Sequence, residues 1–183
     1  MTPEANRAAT DDEPLSGLFR SLAEGRLEAL GGLYDHCATD LFGFALFRTG
    51  SRQDAADVVQ EVFVRLAQAG AKLAEVRNPR SYLLAMTHRA SVDLARRSRR
   101  LVALGDVIAE PVAADAESRA EAAVVDAALR RLPPKQREAV YLRHYEGLTF
   151  AAIGQVTGVP TFTAASRVRL GLRRLRRLLG VTP

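Results

Sequence analysis

The segment TFAAIGQVTGVPTFTAASRVRLGLRRLRRLL, residues 149–179, decides the fold. Thr149 can cap a short helix that runs to about Val156. Thr157-Gly158-Val159-Pro160 reads as a four-residue turn, and Thr161 can cap a long second helix. Gly154 and Gly158 are small where two helices would cross closely, and Val159 and Val168 can fill the core they share. The second helix carries Arg167, Arg169, Arg173, Arg174, Arg176 and Arg177, and no acid follows Glu146. Close crossing followed by a basic helix is what a helix-turn-helix requires. The start of the second helix enters a major groove and its flank holds phosphates. An αα corner with a solvated basic face is the competing reading; motif and charge together favour nucleic acid.

Working outward, Leu132-Pro133-Pro134 is a break, and Pro134 suits the first turn of a helix over about 135–145 that ends at Gly147. A helix starts near Ala123. Residues 102–122 carry Asp106, Glu110, Asp115, Glu117 and Glu121 against Arg119, with Pro111 in the middle, and read as a flexible acidic linker. Before it, SYLLAMTHRASVDLARRSRR (81–100) is helical, with Ser81 as a possible cap. Leu83, Thr87, Ala90 and Leu94 face inward, and Arg89, Asp93, Arg96 and Arg100 share another face. Asp93 between two arginines can hold them by helical ion pairs. The preceding stretch, 70–79, reads as a loop offering Lys72, Arg77 and Asn78, followed by Arg80 and the aromatic Tyr82. Such a loop can accept an unstacked base.

The stretch DAADVVQEVFVRL (54–66) is capped by Ser51 and ends before Gly70. Its spacing places Val59, Val62, Phe63 and Leu66 on the core side and Asp54, Asp57 and Glu61 on the other. Val58 lies among the acids and Val64 lies off the core stripe. Apolar residues inside a charged face fit a protein-binding surface better than a solvated one. Residues 1–14 read as a disordered tail. The pattern over 15–38 is helical, broken near Gly25 and Gly31-Gly32, and a further helix covers 39–49 and stops at Gly50.

Composition bounds the rest. The 183 residues carry a net charge of +5, and a 48% hydrophobic content supports one or two small domains. The pI of about 10.0 makes nucleic acid the first partner to consider. Cys37 is the single cysteine, so no disulfide framework or thiolate cluster is available. His36, His88 and His144 lack ligand spacing, and no metal or cofactor is expected. Phosphate-loop, dinucleotide, zinc-protease and nucleophile-elbow patterns are absent, so no catalytic residue is assigned. The longest strongly apolar run, 41–47, is too short to span a bilayer, and the expected location is the cytoplasm.

Taken together, DAADVVQEVFVRL (54–66), NPRSYLLAMTHRASVDLARRSRR (78–100), LRRLPPKQREAVYLRHYEGLTFAAIGQVTGVP (129–160) and SRVRLGLRRLRRL (166–178) resemble the sigma-70 family of bacterial transcription initiation factors. The likeness is greatest to its small extracytoplasmic-function group. It spans 15–101 and 123–180. It implies an all-α chain of two small helical domains: a region 2-like domain over 15–101, a linker over 102–122, and a region 4-like helix-turn-helix over 123–183.

The resemblance implies further that Asp54, Asp57, Val58, Gln60 and Glu61 dock on core RNA polymerase, at a basic coiled coil of its β′ subunit, the β subunit being a further partner. It places Lys72, Arg77, Asn78 and Arg80 on the displaced strand of the −10 element. Arg89, Asp93, Arg96 and Arg97 would face promoter DNA. Phe162, Thr163, Ser166, Arg167, Arg169 and Arg173 would serve the −35 element. The linker would thread through core polymerase, and an anti-sigma factor would be the regulator. The chain departs from the family pattern in having Arg89 where an Asn is common. In the recognition helix it has Ala164, Ala165 and Leu170 where a β-branched residue, a polar reader and an Arg are usual. A stand-alone helix-turn-helix regulator is the alternative, but it leaves 54–66 and 78–100 without a role.

Overall fold

The computed structural model describes residues 12–102 and 118–180, and every described element is helical or a turn. The chain divides into two compact units, one containing 12–102 and the other 118–180.

The first unit begins with α1, Asp12–Ala23, whose Leu15, Phe19 and Leu22 are buried at helical spacing. Gly25, at φ +85°, turns the chain. Next come α2 (Ala29–Thr49), α3 (Arg52–Ala69), a 3-10 segment (Gly70–Glu75) and α4 (Pro79–Val102). The break expected at Gly31-Gly32 does not occur: α2 runs unbroken from Ala29, ten residues ahead of the expected start. Packing explains Gly32, because a Cβ there would stand 2.9 Å from Leu18 Cδ2. The glycine lets α1 lie close, and that contact overrides its low helix propensity. Gly50 closes α2 in the left-handed conformation, and Ser51 Oγ accepts the Asp54 N–H at 3.2 Å, both as the sequence indicates.

The α4 helix is the centre of this unit and packs on α1, α2 and α3. Leu83, Leu84, Ala85, Met86, Thr87, Ala90 and Ser91 are all buried, more than one face. Of its three buried hydroxyls, two are satisfied within the helix, Thr87 donating to Leu83 O at 3.0 Å and Ser91 to Thr87 O at 2.8 Å, while that of Ser81 meets no partner among the described residues. Ser81 is not the cap. Asn78 Oδ1 accepts the Ser81 N–H at 2.7 Å, one turn earlier, because Pro79 already occupies the first helical position.

The second unit contains α5 (Ser118–Arg130), α6 (Pro134–His144), α7 (Phe150–Thr157) and α8 (Thr161–Leu178). The α5 helix starts five residues ahead of the expected position, so 118–122 are helical rather than linker. The remainder of the acidic stretch, 103–117, and the tail 1–11 lie outside the described residues. Leu129, Leu132 and Val140 form a core with Leu172, Leu175 and Leu178. A Cβ on Gly171 would meet Val140 Cγ2 at 2.6 Å and Gln136 O at 3.2 Å, so α6 and α8 touch there through bare backbone.

Three residues, 158–160, join α7 to α8, one fewer than the sequence suggests, since Thr157 stays helical. Thr149 caps α7 by accepting the Ala152 N–H at 3.2 Å. Thr161 is not a cap: Pro160 precedes α8 with extended backbone, and Thr161 is the first helical residue. The two glycines at this corner, one in α7 and one in the turn, do different work. Gly154 sits at the close approach, whereas Gly158 meets nothing and is required by its φ of +68°.

Candidate protein-docking and nucleic-acid interfaces

The α3 helix presents three faces. Ala55, Val58, Val59, Val62 and Leu66 form its buried stripe. This corrects the placement of Val58 among partner-facing residues, since only 2% of it is exposed. Residues 54, 57, 58 and 61 share a helical spacing as good as that of 55, 58, 62 and 66. Val58 stands at their common edge, and packing assigns it to the core. The stripe is thereby rotated toward the acids, and Phe63 moves to its far flank.

The second face is acidic. Asp57 and Gln60 are exposed, and Asp54 and Glu61 are half-buried. Gln53 Nε2 donates to Asp57 Oδ1 at 3.4 Å. Arg65 Nε donates to Glu61 Oε1 at 2.8 Å, and Arg65 Nη2 lies 3.6 Å from Asp93 Oδ2 on α4. The resulting chain Glu61–Arg65–Asp93 crosses between two helices. Asp93 therefore takes a partner from α3, because α3 and α4 pack side by side.

The third face borders a groove that composition gave no sign of. Ala56, Val59, Phe63, Val64 and Ala67 of α3 face Tyr34, Ala38 and Phe42 of α2 across it. Tyr34 and Phe63 close one wall with ring centroids 5.2 Å apart, and Arg52 lies over the Phe42 ring at 5.5 Å. Val64, expected off the core, is 44% exposed and lines this groove. The i, i+4, i+8 ridge Tyr34-Ala38-Phe42 was the signal available in the sequence.

The residues expected at the −10 element fall into two groups. Lys72, Arg77 and Asn78 are exposed around the N-terminal end of α4, although the Asn78 oxygen is engaged as the helix cap. Arg80 is tethered: its Nη2 lies 3.3 Å from Asp40 Oδ2 on α2, with 17% of its side chain exposed. Tyr82 is half-buried and packs edge-on against Phe19 at 6.0 Å, so its ring belongs to the core and is not a platform for a base. Arg89, Arg96 and Arg97 are exposed with Asp93 on one side of α4, beginning roughly 15 Å along the helix from Pro79.

On α8 the core side is Ala164, Val168 and Gly171. Ala164 is completely enclosed, which accounts for a small residue there. Phe162, Arg169 and Arg173 are exposed, and Thr163, Ser166 and Arg167 are half-buried. Phe162, Ser166, Arg169 and Arg173 follow one another at helical spacing on the side away from the core. Arg174 is partly committed, donating to Gln136 Oε1 at 2.8 Å. Leu170 is 43% exposed beside this stripe.

Comparison with known proteins identifies these units. Residues 33–101 match the family model for sigma-70 region 2, and residues 122–175 match that for sigma-70 region 4. The extracytoplasmic-function (ECF) RNA polymerase sigma factor SigK of Mycobacterium ulcerans is 29% identical over 176 residues, covering 91% of this chain and 94% of its own length. The ECF sigma factor BldN of Streptomyces coelicolor is 28% identical over 181 residues, covering 94% of this chain and 68% of that protein. Among solved structures, the sigma factor RpoE of Bartonella quintana, crystallised with the anti-sigma factor NepR, superposes with a TM-score of 0.68 at 22% identity. That match covers 79% of this chain and 92% of the other. CnrH in complex with the cytosolic domain of CnrY gives 0.67 at 23% identity, covering 94% and 99%. An acid-faced helix, an arginine-faced helix and a helix-turn-helix thus occur in the order of two matched regions, and the chain belongs to the sigma-70 family, in its extracytoplasmic-function group, as an initiation factor that directs RNA polymerase to promoters.

Proposed function

We propose the following division of labour. The acidic face of α3, through Asp54, Asp57, Gln60 and Glu61, docks on a basic helical element of core polymerase, the coiled coil of β′. The apolar groove beside it takes side chains from the same partner. Opposite charge steers the encounter and fixes orientation, and apolar burial slows release. Exposed Lys72 and Arg77, with Asn78 at the cap, hold the backbone of the displaced −10 strand. Arg89, Arg96 and Arg97 lie along the adjoining duplex, and α8 serves the −35 element. Arg80 acts through its tether to Asp40, which fixes the loop that carries Arg77.

The observation that carries this reading is the juxtaposition, along α3, of a charged ridge and an apolar groove that α3 shares with α2. A purely solvated acidic face would not adjoin exposed Tyr34 and Val64. The domain limits that fit the matched regions are 15–101 and about 118–180, with the acidic linker between them. No helix among the described residues is long and apolar enough to cross a membrane, in keeping with action in the cytoplasm where the polymerase works. The chain contributes binding energy, and the polymerase performs the phosphoryl transfer. An anti-sigma factor that covers the α3 groove would silence it.

A gel-shift assay on a promoter fragment, with and without core polymerase, tests the proposal. Tight, sequence-selective binding is expected only with core present. Equal selectivity from the chain alone would refute it and restore the stand-alone regulator.

A further inference from the structure

We infer that Phe162 reads the C5-methyl group of a thymine in the upstream promoter element, making the chain select T at one fixed position there by apolar contact. The inference rests on the assignment of α8 to that element, and the experiment below separates the two.

Phe162 is 75% exposed, more than any other large apolar side chain among the described residues. It is the second residue of α8, directly after the turn, on the side opposite Ala164, Val168 and Gly171. The fold gains nothing from it: an exposed phenyl ring leaves apolar area in water and contributes nothing to the core. Its place is the part of a recognition helix that goes deepest into a major groove.

The neighbours restrict what it can read. Residues 161–166 are Thr161, Phe162, Thr163, Ala164, Ala165 and Ser166. None is Arg, Lys, Asn or Gln, the side chains that recognise guanine or adenine by paired hydrogen bonds. The phenylalanine side chain has no hydrogen-bonding atom. The one apolar feature on any base edge in the major groove is the thymine methyl, and Phe, Ala and the methyl of Thr are its partners. The tip of α8 is therefore chemically matched to T and mismatched to G.

The cations set the register. Arg169 and Arg173 follow Phe162 on the same side, roughly 10 Å and 16 Å further along the helix. With Phe162 inside a groove about 12 Å wide, these two arginines stand at its wall, where phosphates lie. Phosphate contacts fix position without carrying sequence, so the apolar tip is left to discriminate.

The test uses holoenzyme assembled from core polymerase and the full chain, presented with a promoter library randomised in the upstream region. The wild-type chain is expected to enrich T at one position. Phe162→Ala should lose enrichment there and keep it elsewhere, while Phe162→Leu, which retains an apolar tip, should keep it. Replacing that thymine by deoxyuridine removes only the methyl. It should weaken wild-type binding about fourfold, the worth of one buried methyl, and leave Phe162→Ala unaffected. The ring is outside the core, so the variants should melt as the wild type does. Equal T enrichment and equal deoxyuridine sensitivity in Phe162→Ala overturn the inference. An upstream footprint retained without any methyl dependence overturns it alone; no upstream selectivity in the wild type overturns the assignment of α8 as well.

Discussion

A Cβ added to Gly154 would stand 2.6 Å from the carbonyl oxygen of Val159, so the start of the turn folds back onto bare helix backbone. A carbonyl held by the Val159–Pro160 turn cannot swing away as a flexible side chain would. Gly154→Ala is expected to destabilise the second unit by about 1–3 kcal/mol, the range for overpacking, offset by up to about 1 kcal/mol of helix propensity. Gly158→Ala should cost about 1 kcal/mol through its left-handed backbone, without any clash. Thermal unfolding should place both variants below the wild type, and the −35 footprint should be lost before core binding.

Val58 distinguishes packing from partner contact. Being buried, it should behave as a core residue: Val58→Ala should cost about 1–3 kcal/mol in urea unfolding. Polymerase affinity, measured where both proteins are folded, should hardly change. An unaltered midpoint combined with weakened docking would return Val58 to the interface.

Asp57 should behave in the opposite way. It is exposed, and a surface change away from the core shifts stability by only a few tenths of a kcal/mol. Asp57→Lys reverses a charge that the proposed docking uses. A loss of core affinity of tenfold or more is expected at low salt, with the gap narrowing as salt is raised. Titration by fluorescence anisotropy at two ionic strengths would show it, and circular dichroism should show an intact helix content.

Arg77 and Arg80 stand three residues apart and should fail differently. Arg77→Ala should leave the melting temperature unchanged and slow promoter opening, read by permanganate footprinting. Arg80→Ala breaks the link to Asp40 and should lower stability by about 0.2–1 kcal/mol as well.

Cys37 is pushed from its ordinary value of 9.0 up to about 12, first by burial and then by the charge of Asp40, with Arg80 acting the other way. The thiol is enclosed and lies 2.8 Å from Leu33 O. A raised folded-state value means that the native chain keeps a proton that the unfolded chain gives up. Its contribution to stability is therefore complete below about pH 9 and is lost as the pH climbs toward 12. Alkylation at pH 8 should be slow in the native protein and fast after denaturation, and Cys37→Ala should flatten the alkaline limb of the stability profile.

Most of the fold was legible because each boundary has a local cause. Ser51, Thr149, Pro134, Gly25 and Gly50 act on their own neighbours, and short-range chemistry can be read without a structure. The failures share a different origin. Gly32 looks like a helix breaker until Leu18 is known to lie against it. Asn78 rather than Ser81 caps α4, a competition between residues one turn apart that composition does not rank. Val58 sat on the boundary between two equally good stripes. At the candidate surfaces, the exposed acids and arginines could be named from charge and spacing, but their pairings could not. Arg65 with Asp93, Arg80 with Asp40, and the groove between α2 and α3 all depend on which helices become neighbours.

Arg65 contacts one carboxylate on its own helix and another on the next. Its single positive charge is thus divided between the ridge offered to protein and the side of α4 that carries Arg89 and Arg96. Arg65→Ala would remove that cation from Glu61 and Asp93 together, so a single substitution would make both faces more negative. The effect on stability should be small, within about 1 kcal/mol for pairs as open to water as these.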